Sequence, residues 1–431
     1  MSNKNIEFKD SGIAWIGQIP KHWEVIRNKY VFTHKKEIVG SKFKNFDILS
    51  LTKNGIKIIV ESDQKGKVPD SFETYQIVKK DDIVMCLFDL DVSAVFSGIS
   101  KYSGIISPAY KIFNPKENLN FKYAGYFFDF VFVNRKFKQY SKNIRFTLGT
   151  DEFMNLKIPL PPLNEQKKIA EFLDKKCEII DKRLSNLERK IKSLKEYKKS
   201  LISECVTKGL NPKNMEFKDS QISWIGQIPK HWEVKRLKYI ATKIYKGNGI
   251  TKEQVFENGD MPCVRYGEIY TKYNYSFDKC FSYTFEKVLN STSYFGYGDI
   301  LFTCTGELIE EIGKNVVYLG DKKCLAGGDI IILNHQQNPS FLNYALDCNY
   351  ARNQKSHGKA KLKVVHISSR EISNLFVVLP PLNEQKEISE FLDKKCEKID
   401  RLNENYTKQI TALKEYKKSL IYECVTGKKE I

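Results

Sequence analysis

The stretch Leu160–Thr207 opens LPPLNEQKKIAEFLDKKC and closes LKEYKKSLISECVT, and nearly the same words return over Leu379–Thr426. Between Leu160–Cys177 and Leu379–Cys396, 16 of 18 positions are identical at a constant offset of 219. Each copy predicts one long helix. The paired prolines Pro161 and Pro162 hold the entry extended, because the residue before a proline is pushed out of helical geometry. Asn164 stands at the N-cap position, and Glu165 lies in the first turn near the positive end of the helix dipole. No glycine or proline follows until Gly209. At alternating steps of four and three, one face reads Leu173, Cys177, Ile180, Leu184, Leu187, Ile191, Leu194, Lys198, Leu201, Cys205. The second copy reads Leu392, Cys396, Ile399, Asn403, Tyr406, Ile410, Leu413, Lys417, Leu420, Cys424. A heptad seam this long cannot stay in water. Each helix should run roughly 65 Å at 1.5 Å per residue. A whole domain separates the copies in the chain, so an antiparallel coiled coil holding two domains apart is the expected arrangement. If the pair turns about Ile191 and Ile410, Cys177 meets Cys424 and Cys205 meets Cys396.

A second repeat precedes each helix. Glu7–Val25 returns as Glu216–Val234, with 17 of 19 positions identical at an offset of 209. The chain is therefore a tandem of two halves, each with a constant opening, a variable body and a constant helix. The expected boundaries are 1–158 for the first domain, 159–210 for the first helical spacer, 211–378 for the second domain and 379–431 for the second spacer. The loop Gly209–Asn214 carries the stop and turn residues of a boundary. In the openings, His22, Trp23 and Glu24 read as packing residues, as do His231, Trp232 and Glu233.

The bodies scarcely match each other. Met261–Ile269, Gly298–Cys304 and Asp329–Leu333 predict strands in the second, and Phe341–Ala351 a helix. In the first, Asp82–Phe88 and Ala109–Phe113 predict strands, and Phe121–Phe137 an aromatic helix. Thr150–Phe153 and Ser369–Ile372 both carry helix-start chemistry, followed by short strands at Leu156–Pro159 and Leu375–Val378. The fold class is a mixed α/β (α+β) tandem with pseudo-two-fold symmetry.

Composition narrows the function. Hydrophobic content of 41% and aromatic content of 13% predict folded domains. No apolar run is long enough for a membrane span, and MSNKNIEFKDSG lacks the apolar core of a signal peptide. Ten cysteines without a CxxC spacing fit a reduced, cytoplasmic protein with no structural zinc. The net charge is +19, of which Asn164–Lys208 takes +5 and Asn383–Ile431 only +1, leaving +13 mainly for the bodies. Such an excess points to polyanions, most simply nucleic acid.

No catalytic motif emerges. No Gly-Lys pair continues as a phosphate-binding loop. No Asn-Pro-Pro-Tyr or HExxH is present, and Phe295–Gly298 is a poor methyl-donor loop. Asp151 ahead of Glu165-Gln166-Lys167 resembles a nuclease metal site. The second half has Arg370 at the corresponding place, and helix-start chemistry accounts for the glutamate. Loop patches mixing basic, polar and aromatic residues remain. The first body offers Lys35, Lys36, Lys42, Lys44, Lys142, Asn143 and Arg145. The second offers Lys246, Asn248, Arg265, Tyr266, Glu268, Lys359, Lys361 and Lys363. Lysines can neutralise phosphates, Arg and Asn can pair with base edges, and Glu can accept from cytosine.

The order variable–helix–variable–helix, with LPPLNEQK opening each helix, resembles the specificity subunit of type I restriction–modification systems across the entire chain. The resemblance implies that each body is a target recognition domain for half of a split double-stranded DNA site. The helices would set the gap and dock two modification (methyltransferase) subunits, with restriction (endonuclease/translocase) subunits completing the complex. This chain would then catalyse nothing and bind no cofactor. S-adenosylmethionine, ATP and Mg²⁺ would belong to its partners, which methylate adenine on a flipped-out base. Asn403 and Tyr406 in place of Leu184 and Leu187 make the seam asymmetric. The second half is 10 residues longer between its constant motifs. Two rivals stay open: a coiled-coil scaffold whose basic bodies bind acidic proteins, and a free-standing restriction enzyme.

Overall fold

The computed structural model describes residues 7–52, 55–59, 71–91, 97–142, 146–359 and 365–431. Two compact units emerge: Met1–Leu187 with Thr407–Ile431, and Glu188–Tyr406. The two long helices, Leu163–Lys208 and Leu382–Val425, each contribute one end to each unit.

In the first unit, a four-stranded antiparallel sheet runs in the order Phe32–Lys35, Lys111–Pro115, Ile83–Met85, Ser97–Ile99. The helix Phe121–Val133 lies against its edge strand. Asn120 caps it by accepting from the Lys122 and Tyr123 amides at 3.1 and 3.0 Å. Gly125 permits the close approach, since a Cβ there would stand 2.4 Å from Ile99 Cδ1. The helix stops at Val133, short of the expected Phe137, because Arg135 turns left-handed. Phe32, Phe113, Phe128 and Phe153 fill the core. The same core takes in Leu173, Cys177 and Ile180 from the first long helix, and Leu420, Ile421, Cys424 and Val425 from the second.

The second unit holds a five-stranded sheet, in the order Ala241–Lys246, Ile330–His335, Ile300–Thr303, Asn315–Tyr318, Ser276–Phe277. A four-stranded sheet joins Ser282–Thr284, Met261–Val264, Cys324–Ala326 and Tyr294–Phe295, with its central pair parallel (Cys263↔Leu325). The strand expected over Met261–Ile269 ends at Val264. The Glu268 carboxylate accepts from the Arg265 amide at 3.0 Å and starts a helix over Tyr266–Thr271. The helix expected over Phe341–Ala351 divides into Pro339–Asp347 and Asn349–Ser356, because Cys348 is extended between them. No helix among the described residues is long and apolar enough to cross a membrane.

Both units are framed alike. Glu24–Arg27 pairs antiparallel with Lys157–Leu160, and Glu233–Arg236 with Phe376–Leu379. Each pair ties an opening to the residues that lead into a long helix. The LPPLNEQK motif then closes the frame. Glu165 accepts from Trp23 Nε1 at 3.0 Å and meets His22 Nε2 at 2.9 Å; Glu384 does the same for Trp232 at 3.0 Å and His231 at 2.7 Å. Gln166 takes the Asn120 amide and donates to Asn118 and Pro161 carbonyls. Gln385 takes the Asn338 amide and donates to Pro380. One glutamate therefore fixes the opening, and the next residue fixes the cap of the body's helix. Glu165 lies in the first turn as expected, but the helix already begins at Leu163, so Asn164 is not its N-cap, and the glutamate serves the imidazole and indole of the opening.

Within each unit the helix ends pack along the expected seam. Leu173, Ile180, Leu187, Leu392, Ile399 and Leu420 are buried. Leu184, Ile191, Leu194, Leu201, Tyr406, Ile410 and Leu413 are half-buried. Near Leu201 the buried face moves one residue on, to Ile202, where the helix joins the core of the second unit. Cys177 and Cys424 lie in one core, and Cys205 and Cys396 in the core of the other unit. The two seam lysines find equivalent partners: Lys417 meets Asp181 at 2.7 Å, and Lys198 meets Asp400 at 2.6 Å. A shift of 219 residues carries Asp181 to Asp400 and Lys198 to Lys417.

Candidate nucleic-acid interface

Two of the three patches expected in the second body come together around Ala326–Gly328. Gly247 has no room for a side chain, since a Cβ would stand 2.1 Å from the Gly327 carbonyl oxygen. The Gly247 amide donates to Ile330 at 2.8 Å and the Asn248 amide to Ala326 at 3.0 Å. From the other side, the Gly327 amide donates to the Val264 carbonyl at 2.8 Å, next to Arg265. Lys246, Asn248, Arg265 and Tyr266 therefore share a glycine-lined rim where strand ends meet. Lys246 and Tyr266 are exposed, and Asn248 and Arg265 half-buried. Arg265 Nε is buried without a hydrogen-bond partner among the described residues. The rest of the guanidinium pairs with Glu268 at 3.6 Å, and the side chain is 33% exposed.

Tyr270, one turn into the helix that starts at Tyr266, reaches toward the third patch. Its hydroxyl meets Thr303 Oγ1 at 2.8 Å and donates to the Thr305 carbonyl at 2.9 Å. Thr305–Gly306 pairs with Val365–His366, which follow the Lys359–Lys363 segment. Lys361 and Lys363 lie outside the described residues.

Glu268 needs correction. It is buried; one carboxylate oxygen accepts from Ser282 Oγ and the other from the Arg265 amide. It cannot reach a cytosine; it holds Arg265 in place. Lys359 is also engaged, giving hydrogen bonds to the His366 carbonyl at 2.6 Å and to Glu371 at 2.5 Å.

In the first body Lys35 is corrected likewise. Its ammonium lies 2.9 Å from Asp82, whose side chain is fully buried and also accepts from Asn114 and the Lys79 amide. That lysine neutralises a buried carboxylate and is not free for phosphate. Lys36, Lys42 and Lys44 are exposed, the last two on the turn Gly40–Asn45. Lys142 pairs with Glu152 at 2.6 Å. Asn143 and Arg145 lie outside the described residues. A parallel emerges between bodies that share no sequence pattern. Glu152 accepts from the Gly149 amide and Glu371 from the Ser368 amide at corresponding helix starts. Each of these capping glutamates also receives a lysine from the basic loop before it, Lys142 or Lys359. The glycines Gly247, Gly327 and Gly328 were not foreseen as organisers of the rim, although Gly-Asn-Gly and Gly-Gly dipeptides mark tight backbone approach.

The comparisons with known proteins agree with this layout. The family model described as the type I restriction modification DNA specificity domain matches twice, over residues 20–194 and 229–412. The specificity subunit of the type I restriction enzyme MjaVIII from Methanocaldococcus jannaschii is 29% identical over 286 residues, 64% of this chain; the match spans 63% of that relative's length. The putative MjaX specificity subunit from the same organism is 25% identical over 453 residues, covering 96% of this chain and 95% of its own. Among solved structures, a chain from a study of assembly and conformational transition in a type I R-M system superposes with a TM-score of 0.70 at 16% identity, covering 95% of this chain and 99% of that one. The HsdS subunit from Thermoanaerobacter tengcongensis gives 0.50 at 16% identity, covering 95% and 98%. At these identities the structural likeness speaks for the fold. With the family model matched in both halves, each time across a framed body and into its long helix, the chain belongs to the type I restriction–modification DNA specificity family.

Proposed function

We propose that this chain is the sequence-reading, non-catalytic subunit of a cytoplasmic type I restriction–modification complex. Each body reads one half of a bipartite duplex site, and the paired helices set the gap. The observation that carries this reading is the pairing of near-identical frames with unlike bodies. Identical parts suit two copies of one partner, and unlike loops suit two different half-sites. The partners are then two modification subunits bearing S-adenosylmethionine, joined by restriction subunits that use ATP and Mg²⁺. In the second body, Lys246 supplies phosphate contact, while Asn248, Arg265 and Tyr266 read bases. In the first, Lys36, Lys42 and Lys44 supply phosphate contact.

Competition binding of the assembled methyltransferase to its duplex tests the assignment. Arg265→Ala should cost about 1–3 kcal/mol and relax discrimination at one base pair, whereas Lys246→Ala should weaken all sequences alike and lower the salt slope by about 1. If both variants bind and discriminate as the parent does, this rim is not the reading surface.

A further inference from the structure

The two bodies differ in sequence, yet their hydrogen bonds repeat one plan. In the first, the Asp82 carboxylate accepts from the Lys79 amide at 2.8 Å and from Asn114 Nδ2 at 3.0 Å. In the second, Asp299 accepts from the Gly296 amide at 2.7 Å and from Asn334 Nδ2 at 2.5 Å. The residue before each aspartate is left-handed, Asp81 at φ 69° and Gly298 at φ 86°. Each aspartate carbonyl accepts from the strand alongside, from the Ser100 amide at 2.8 Å or the Tyr318 amide at 3.0 Å. The sheets keep the same register from there. Ile83 faces Phe113 and Phe113 faces His34; Ile300 faces Leu333 and Leu333 faces Ile244. A second set of pairs repeats as well. Ile105 lies parallel to Ile48 and antiparallel to Ile77, and Leu325 lies parallel to Cys263 and antiparallel to Tyr294.

These equivalences carry the rim of the second body onto the first. Two residues beyond His34 and Ile244 stand Lys36 and Lys246, and two further on stand Ile38 and Asn248. Two residues beyond Ile48 and Cys263 stand Ser50 and Arg265; two beyond Ile105 and Leu325 stand Ser107 and Gly327. Gln76 holds this edge of the first body together. Its backbone bridges Ile38 on one side and pairs with Ile106 on the other, and its side-chain amide donates to the Tyr110 carbonyl at 3.0 Å. The chemistry of the rim is changed. Asn and Arg can make paired hydrogen bonds to a base edge; an aliphatic side chain and a hydroxyl stand in their places. Ile38 is 56% exposed, and Pro108 and Ala109 on the neighbouring turn are exposed too. Lys36 is exposed, as Lys246 is. An aliphatic group at a base-reading position has one apolar partner in the major groove, the 5-methyl group of thymine.

We propose that the first body reads a thymine through its 5-methyl group, with Ile38 as the contacting residue and Lys36 on an adjoining phosphate. This rests on the DNA-reading role proposed above for the rim of the second body. The first half-site then contains an A·T pair whose thymine meets Ile38 in the major groove.

The test is competition binding of the assembled methyltransferase to the duplex it recognises, with each thymine of both half-sites replaced in turn by deoxyuridine. That replacement removes the methyl group and leaves the pairing edge intact. One replacement should weaken the parent about fourfold, the worth of one buried methyl group. Ile38→Ala should bind the thymine and uracil duplexes alike at that position. At every other position it should respond as the parent does, which also shows that the variant is folded. No response to any replacement, or a parental thymine preference retained throughout by Ile38→Ala, overturns the assignment. A complex that discriminates sequences but ignores the methyl group overturns only the role of Ile38. An assembled complex that binds all duplexes alike overturns the DNA-reading role, and this proposal with it.

Discussion

Glu165 and Glu384 each hold an indole N–H that no water reaches. Trp23 and Trp232 are essentially buried, and each would be left with an orphan donor if its glutamate were removed. An unsatisfied buried donor costs about 1–3 kcal/mol. Glu165→Ala should therefore lower the unfolding free energy of the first unit, read from urea curves, by that order, while Glu165→Gln, which keeps an acceptor, should lose clearly less. Equal losses would mean that the charge, not the hydrogen bond, matters. Lys355 makes a second residue-level prediction. Its side chain is buried, donates to the Gly313 carbonyl and Asn315 Oδ1 at 2.7 Å each, and burial pulls its ammonium down to about 7. The unfolded chain keeps that proton to about pH 10.4, whereas the folded chain releases it above about 7. The stability it contributes is thus complete only above the unfolded value and is lost as pH falls through about 7. Between pH 6.5 and 9 the parent should gain on the order of 2 kcal/mol relative to Lys355→Met, read from unfolding curves at both pH values. A constant difference would show that Lys355 titrates normally. The sequence marked the tryptophans and Glu165 because they repeat. It left Lys355, Glu268 and Lys35 indistinguishable from surface charge, since a buried ion differs from a solvated one only through the partners that the tertiary fold brings to it.

Along the two long helices, the seam is tied by two ion pairs of unequal burial. Lys198 is 10% exposed and stands 4.5 Å over the Tyr275 ring as well as against Asp400; Lys417, opposite Asp181, is 29% exposed. The pairs differ mainly on the lysine side, since Asp400 and Asp181 are 43% and 56% exposed, and removing Lys198 also removes its contact with the Tyr275 ring. Lys198→Ala should cost about 1–3 kcal/mol and Lys417→Ala under about 1 kcal/mol, with double-mutant cycles against Asp400 and Asp181 isolating each coupling. The reverse order would break the link between burial and strength. Heptad spacing made the helices and their length legible, because one face must be dry over many turns. The bodies were less legible. The strands expected at Leu156–Pro159 and Leu375–Val378 stand one residue on, at Lys157–Leu160 and Phe376–Leu379. The helix at Tyr266 did not stand out, because Val264 and Ile269 suit a strand as well as a helix, and one carboxylate contact decides between them.

For the whole molecule, the excess of +19 sits mainly on the bodies. Affinity for any duplex should fall steeply with salt, as counterions released by bound lysines are recaptured. The central claim is that two unlike readers ride on one repeated frame. The most direct measurement is to co-express the chain with its modification subunit in a host lacking adenine methylation, and to map N6-methyladenine across the DNA. The account predicts a split motif of two unlike half-sites, with one methylated adenine on each strand. A continuous or symmetric motif, or an assembled complex that methylates nothing, would contradict it.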